Sequence, residues 1–584
     1  MTRIDPSRPF VLLDDARDRD ASPARLYADP VEIITTRNAD EVPALLERLT
    51  DGHWAGFIAY EAGHALEPRL GPPRLPTEPL LWFGRFEDYQ VIAAADVAAL
   101  LPDPAGGWLG RPRPDISFDD YAQVLTRVKE WISAGDIYQA NLTLRASVST
   151  AGHPLALYAG MRARAKAGYG GVIWTREDWF LSLSPELFFA LHDGHLTTKP
   201  MKGTTRRRSD PKDDETAKAE LRAHPKQRAE NLMIVDLLRN DLSRVAQAGS
   251  VRVPKLFEVE TYPTIHTMIS VVTGELQPGL GVPDVLKAIF PCGSVTGAPK
   301  IRAMEIIDAV EAAPRGIYTG SIGRIDPNGD AAFNVAIRTL HLRDGDNRAR
   351  LGLGGGIVAD SQLGDEWDEC RAKGRFVADP RPFDLIETMR FDPHEGIPLL
   401  ERHLLRMKES ARALDFEFDR HAARNDLHAA TFRLDGPHRI RLMLARSGQI
   451  AIEIGELPAA PDSPVPVALA ALPVSSDDFR LLHKTSDRAF YDAARAAGGA
   501  FEVVFSDGEG WLTEGSFTAL FVERDGVLLT PPLARGLLPS VLRAELIESG
   551  RAIEQDLRAE DLANGFFIGN ALRGLIPARL DKDP

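Results

Sequence analysis

Cysteine is almost absent from this chain. Cys292 and Cys370 are the only two in 584 residues. They sit in unrelated surroundings without metal-ligand spacing, which excludes a disulfide framework and favours a reducing compartment. No apolar run reaches 18 residues, so no membrane-spanning helix is expected. The amino-terminal Met1-Thr-Arg-Ile-Asp-Pro6 lacks the apolar core of a signal peptide, and a cytoplasmic protein is expected. Basic charge is in deficit: the formal net charge is −15, which argues against nucleic acid or an anionic membrane as a partner of the whole molecule. Internal repeats and low-complexity blocks are lacking as well.

What remains is an ordinary globular composition, 44% hydrophobic and 26% charged, in a chain long enough for roughly three to five units. Two prolines interrupt Phe376-Val-Ala-Asp-Pro-Arg-Pro-Phe383 after a charged helical stretch, so a boundary is expected there, with domains over 1–378 and 382–584. Before it, Ser117 to Ala134 reads as an amphipathic helix opened by Ser117 and Asp120. Helical patterning recurs from Pro211 through Ala246. Strands are expected at Gly171–Trp174, Trp179–Leu183, Leu187–Leu191 and Ala332–Leu342. After the boundary come a strand (Phe383–Arg390), a helix (Leu400–Leu414), hairpin turns at Ser447-Gly448, Asp507-Gly508 and Asp525-Gly526, and a final helix from Pro539 to Gly550. Both parts read as α+β, the first with extensive antiparallel sheets.

The richest stretch is Thr198-Lys-Pro-Met-Lys-Gly-Thr204 with Arg206, Arg207 and Arg208 behind it. Neighbouring cations make Lys202 easier to deprotonate, hence nucleophilic, and attract an anionic substrate. Glu230 stands at the head of a mostly apolar helix, and Glu366 and Glu369 lie one helical turn apart. Carboxylates from these two segments suit Mg²⁺. In Leu353-Gly-Gly-Gly-Ile357 bare backbone can approach a ligand carboxylate, although a turn is the default reading of such a triplet. Phe290-Pro-Cys-Gly-Ser-Val-Thr-Gly-Ala-Pro-Lys300 reads as a loop entering a helix, another anion-binding arrangement.

Together these motifs closely resemble the chorismate-utilising enzymes, which include anthranilate, aminodeoxychorismate and isochorismate synthases. The resemblance covers most of residues 115–378. It implies Mg²⁺ held by Glu230 and Glu369, with Glu366 a nearby candidate, and chorismate bound through Tyr318, Arg338 and the amides of Gly354, Gly355 and Gly356. Gly203, Thr204 and Lys373 are expected to join the substrate site, and His266 matches the family histidine placed for proton transfer. Water-adding members carry a lysine base where this chain has Gln139, an amide without useful basicity, so isochorismate formation is disfavoured. Anthranilate synthases carry alanine where Lys202 stands, and aminodeoxychorismate synthases carry lysine. The resemblance therefore implies the aminodeoxychorismate synthase branch, component I. In that branch the lysine attacks the ring, ammonia then displaces it, and Glu186 in Ser184-Pro-Glu-Leu-Phe188 helps the hydroxyl leave. Neither cysteine looks like a glutaminase nucleophile, so ammonia from a separate glutamine amidotransferase subunit is expected.

In the second part, Lys484 in Leu482-His-Lys-Thr-Ser486 is followed by Glu514 in Trp511-Leu-Thr-Glu-Gly515. A lysine that condenses with an aldehyde, plus a carboxylate for a pyridine nitrogen, is the minimum for pyridoxal 5′-phosphate chemistry. With Arg406 and Gly536-Leu-Leu538, the set resembles class IV pyridoxal-phosphate enzymes over about 383–580. That resemblance implies phosphate binding by Arg406, by amides at Leu537 and Leu538, and by Asn570 or its neighbours. Pro539 and Ser540 replace the threonine-arginine ending of several relatives. Class IV includes branched-chain and D-amino-acid aminotransferases as well as aminodeoxychorismate lyase. Thr388 matches a hydroxyl ascribed to the lyase, and fusion to a domain resembling an aminodeoxychorismate source favours that activity. The expected product is 4-aminobenzoate for folate synthesis. Class IV relatives commonly dimerise through this domain.

Overall fold

The computed structural model describes residues 4–262 and 265–581; Met1, Thr2 and Arg3 of the amino-terminal peptide lie outside the described residues. The chain forms two compact units. The first comprises Met1–Leu101, Arg111–Val148 and Tyr158–Ala378, and the second Pro102–Gly110, Ser149–Leu157 and Asp379–Pro584. Both are α+β, as the sequence implies.

The first unit is built on two large, mainly antiparallel sheets. Along one, the strands run Gly297–Ala298, Gln139–Ala151 (its last residues in the second unit), Arg348–Ile357, Thr339–Arg343, Asp178–Ser184, Tyr169–Trp174, Phe10–Asp14, Ala24–Ala28 and Gln90–Ile92. The other runs Met201–Arg206, Ile265–Glu275, His195–Lys199, Leu187–His192, Ala331–Asn334, Ser321–Ile325, His53–Ile58, Leu81–Phe86 and Glu32–Thr36. They pack face to face through a core that joins Val11, Tyr27, Ile173 and Phe180 of the first sheet to Ala55, Phe57, Trp82 and Ile322 of the second. Phe57 and Phe180 meet with ring centroids 4.5 Å apart. Helices Pro225–Ser243 and Val282–Ile289 add Ile234, Leu238, Val285 and Leu286 to a further core against the second sheet.

Local signals set many element ends. The helix Phe118–Ser133 begins where the Ser117 hydroxyl accepts the Asp120 N–H at 3.1 Å and donates to the Asp120 carboxylate at 2.7 Å. The helical stretch expected from Pro211 to Ala246 is two helices, Pro211–Ala223 and Pro225–Ser243, because Pro225 cannot continue the first and opens the second. The single strand expected over Ala332–Leu342 is also two. Ala331–Asn334 belongs to one sheet and Thr339–Arg343 to the other, and the chain crosses between them with Arg338 at φ +52°. The glycine run expected as a turn lies instead within the strand Arg348–Ile357. Crowding explains its composition: a Cβ on Gly354 would sit 2.6 Å from the Leu142 carbonyl oxygen, and one on Gly352 would overlap the Tyr318 ring.

The second unit has two lobes. A three-stranded antiparallel sheet (Leu385–Phe391, His438–Leu444, Ile450–Glu456) is covered on one face by helices Leu400–Ala413 and Arg420–Thr431. An eight-stranded mixed sheet has Val465–Ala471 parallel to both Glu502–Ser506 and Gly574–Leu580. Helix Ala489–Gly498 provides the crossover that parallel pairing requires. Turns fall at all three expected Gly-containing hairpins. Among the described residues no helix is long and apolar enough to cross a membrane.

Trp108 reaches the second unit's core from far upstream. It is 1% exposed and packs with Phe383, Phe416 and Phe479, with the Arg446 guanidinium 5.1 Å above its ring. Trp108→Ala should therefore destabilise the second unit by about 3–5 kcal/mol. Calorimetry should show the transition reported by the carboxy-terminal residues falling while the other holds.

Candidate active sites

The first unit holds a cavity of about 320 Å³ whose walls come from both sheets, three helices and the loop around Ser294. Lys202 enters from the strand Met201–Arg206, at a Gly203 turn with φ +88°. Glu186 faces it from the edge of Leu187–His192, Tyr318 from the turn before strand Ser321–Ile325, and Arg338 from the crossing between the sheets. Thr204, Gly354, Gly356 and Lys373 complete the substrate set expected from sequence, while Gly355 lies behind the cavity-lining side chains of Glu366, Glu369 and Lys373.

Burial lowers the Lys202 pKa, and the Lys373 ammonium adds to the effect; Glu186, Glu230 and Glu369 oppose it. The arginines expected to do this do not. Arg206, Arg207 and Arg208 are exposed, and Arg207 pairs with Asp214 at 2.7 Å. Glu186 is the reverse case: burial raises its pKa, with Ser294 and Lys202 pulling the other way. The Ser294 hydroxyl donates to Glu186 Oε1 at 2.8 Å and lies 3.2 Å from Cys292 Sγ. An uncharged amine and a protonated acid are thus both made more accessible in one cavity.

His266 is not brought to this cavity. Thr204 pairs with Thr267 and Thr205 with His266 across the two strands, and side chains alternate between faces. Thr267 lines the cavity and donates its hydroxyl to the Gly203 carbonyl at 3.2 Å. His266 points to the opposite face, its ring nitrogens 3.0 Å from Asp214 Oδ1 and 2.9 Å from Thr261 Oγ1. The one-residue offset is invisible in a motif, but period-two geometry makes it decisive.

Three carboxylates stand at one end of the cavity. Burial raises the pKa of Glu230 and of Glu366, whose Oε1 accepts the Ser361 hydroxyl at 2.6 Å. Burial acts the same way on Glu369, but Lys373, 2.7 Å away, wins and holds its carboxyl below the usual range. A Cβ on Gly355 would lie 3.2 Å from Glu366 Oε2 and 3.8 Å from both Glu369 Oε1 and Lys373 Nζ, so the bare backbone leaves room beside these groups. An all-oxygen donor set with spare lone pairs fits Mg²⁺.

The second cavity, about 470 Å³, lies between the lobes of the second unit. Thr388, Arg406, Lys484, Glu514, Leu538 and Asn570 line it, as expected from sequence; Leu537 is buried and absent from the wall. Burial lowers the Lys484 pKa to about 7, helped by Arg406, Arg488 and Arg441. Burial raises Glu514 to about 7 although the Tyr491 hydroxyl donates to it at 2.6 Å. The Leu538 amide also favours the Glu514 anion, so it is directed at that carboxylate. Asn570 spends its side chain on the local turn, accepting from Leu572 and Arg573 N–H and donating to the Phe517 carbonyl.

Sequence reasoning passed over the groups that brace this cavity. Glu387 accepts two bonds from Arg406, at 2.8 and 2.6 Å, and lies 2.6 Å from His403 Nδ1. Glu502, fully buried, accepts from the amides of Val503, Ser516 and Phe517 and from the hydroxyls of Ser516 and Thr518. It thereby shapes the loop after Glu514. His403 Nε2 and Arg488 Nη1 are buried without partners. An unpaired Arg488 N–H, a half-buried amine and a carboxyl tuned near neutrality fit pyridoxal phosphate.

Residues 8–379 match a family model described as chorismate binding enzyme, and residues 384–580 one described as amino-transferase class IV. The chain belongs to the chorismate binding enzyme family and carries a class IV aminotransferase domain behind it. It is 42% identical over 257 residues to aminodeoxychorismate synthase component 1 of Klebsiella aerogenes, covering 44% of this chain and 56% of that protein. Its identity to the protein of the same name from Bacillus subtilis (strain 168) is 40% over 274 residues, covering 47% and 57%. The chain thus spans little more than half the length of the curated relatives it matches. Among solved structures it resembles anthranilate synthase component I from Streptococcus pneumoniae TIGR4, with a TM-score of 0.54 and 27% identity over 62% of this chain and 93% of that one.

Two outcomes are expected. His266→Gln should cost about 1–3 kcal/mol of stability, read by denaturant unfolding, while chemistry in the first cavity persists. In cofactor-free protein, Lys484 should react with an amine-directed acylating reagent with a midpoint near pH 7, because its neutral form accumulates above that pH. Surface lysines should titrate near pH 10 instead.

Proposed function

We propose that the first unit converts chorismate and ammonia into 4-amino-4-deoxychorismate and water, and that the second releases pyruvate from that product to leave 4-aminobenzoate. The observation that carries the first step is the depressed Lys202 amine sharing a cavity with the acid-shifted Glu186. Lys202 attacks carbon 2 of the ring, the double bond shifts, and the carbon-4 hydroxyl leaves as water with a proton from Glu186. Ammonia then adds at carbon 4 and the Lys202 nitrogen departs from carbon 2, so one hard displacement becomes two. Arg338, half-buried in the cavity wall with no side-chain hydrogen bond or ion pair among the described residues, suits one substrate carboxylate. Glu230, Glu369 and Glu366 would hold Mg²⁺, which supplies charge neutralisation for the other. Gln139 lines the cavity where a base would be needed to activate water. A separate glutamine amidotransferase subunit would deliver the ammonia in a cytoplasmic pathway to folate.

For the second step, pyridoxal phosphate supplies the electron sink. Lys484 is placed to take up the ring proton; Glu514 would keep the pyridine nitrogen protonated, and Arg406 with the start of helix Val541–Glu548 would hold the phosphate. A branched-chain or D-amino-acid aminotransferase would use the same groups. The lyase is favoured because the chain carries a domain that makes its substrate.

The test is to incubate the protein with chorismate, ammonium, Mg²⁺ and pyridoxal phosphate and identify products by chromatography. 4-Aminobenzoate with equimolar pyruvate is expected. Aminodeoxychorismate accumulating alone would overturn the lyase, and anthranilate alone would overturn the role of Lys202. Lys202→Ala should abolish carbon-4 amination while the second unit still processes supplied aminodeoxychorismate.

A further inference from the structure

The second cavity holds more cationic groups than a cofactor phosphate requires. Arg406 serves one end: it lies against Glu387 and donates to the Pro539 carbonyl at 3.0 Å, beside the start of helix Val541–Glu548. Two further arginines come from a different element, the three-stranded sheet. There Thr388 pairs directly with Arg441, and Arg390 with Arg439. Cross-strand partners share a face, so Ile386, Thr388, Arg439 and Arg441 stand together on the cavity side. Glu387, Met389, Ile440 and Leu442 face the opposite side and are buried there.

Arg441 has no side-chain hydrogen bond or ion pair among the described residues, and its Nε is buried without a partner. It lies close enough to Lys484 to lower that amine's affinity for a proton. Glu453 stands opposite Arg441 on the third strand, yet it is held by Arg439 Nη2 at 2.8 Å. Gly455 permits this, since a Cβ there would lie 2.7 Å from Arg439 Nη2. Of the other acids around this cavity, Glu387 is committed to Arg406 and His403, and Glu514 accepts the Tyr491 hydroxyl. Arg441 is therefore an uncompensated guanidinium beside the reactive lysine, on a different element from the phosphate end.

We infer that Arg441, assisted by Arg439, binds a second carboxylate of the substrate, so that this cavity selects a dicarboxylate. The inference deepens the lyase reading and rests on it: aminodeoxychorismate carries two carboxylates, whereas a branched-chain amino acid carries one. A planar fork matches a carboxylate in two-point contact.

The probes are 3-(carboxymethoxy)benzoate and its monoacid counterpart 3-methoxybenzoate, titrated into the cofactor-loaded full chain. Binding is read on the absorbance of the bound cofactor, which the first cavity lacks. The native protein should prefer the diacid by about tenfold or more. Arg441→Gln should erase that preference without releasing the cofactor, and Arg441→Lys should keep part of it. A preference unchanged in Arg441→Gln would overturn the subsite, as would loss of cofactor from that variant, which would make Arg441 a phosphate ligand. Native protein that discriminates the probes as expected but releases no pyruvate from aminodeoxychorismate would overturn the lyase reading and leave the subsite standing. Pyruvate release unaffected by Arg441→Gln at low substrate would overturn the subsite alone.

Discussion

Each cavity of this protein is organised around a half-buried lysine that has lost part of its water. An ammonium inside protein loses solvation that only nearby anions can replace, and in neither unit are the anions sufficient. Around Lys202, Glu186, Glu230 and Glu369 pull against burial and Lys373, and burial prevails. Around Lys484 a single acid, Glu387, faces three arginines, and the amine falls to about 7. The surrounding structure can be read as what holds each amine in place at this cost.

That support differs between the units. In the first, Arg315 is buried and binds Glu311 through two nitrogens while donating to the carbonyls of Asn141, at 2.6 Å, and Val295, at 2.9 Å. Asn141 and Val295 both line the cavity, so one guanidinium ties a strand to the loop that carries Ser294. Glu61 accepts the amides of Arg315 and Gly316 and fixes the approach to Tyr318. In the second unit the same work falls to buried carboxylates: Glu387 fixes Arg406 and His403, and Glu502 fixes the loop from Ser516 to Thr518. These networks are costly to bury and costly to break, which is why each oxygen is used.

Much of the site was legible because motif residues converge by chain proximity. Lys202, Gly203 and Thr204 share one strand, and Glu366, Glu369 and Lys373 one helix. Lys484 and Glu514 stand out only through the motifs around them, together with Arg406 and Gly536-Leu-Leu538. The misreadings share a cause. His266 was placed in the cavity because a motif names a position but not a face, and the pairing of Thr204 with Thr267 gives that face to Thr267. Ala332–Leu342 was read as one strand because apolar patterning continues through a crossing between sheets. Glu387 and Glu502 escaped notice because their partners lie on other elements, and Arg441 because only the fold shows that the acids near it are already spent.

The sequence by itself determined which chemical groups are present, where the helix after Ser117 starts, and which turns close the hairpins. These are consequences of local sterics and short-range hydrogen bonding. Only the tertiary structure decided which face of each strand meets a cavity, which cations lie near which lysine, and which acids are already spent. Proton affinity and unpaired charge depend on desolvation and on groups brought together from different elements, and no local pattern encodes either.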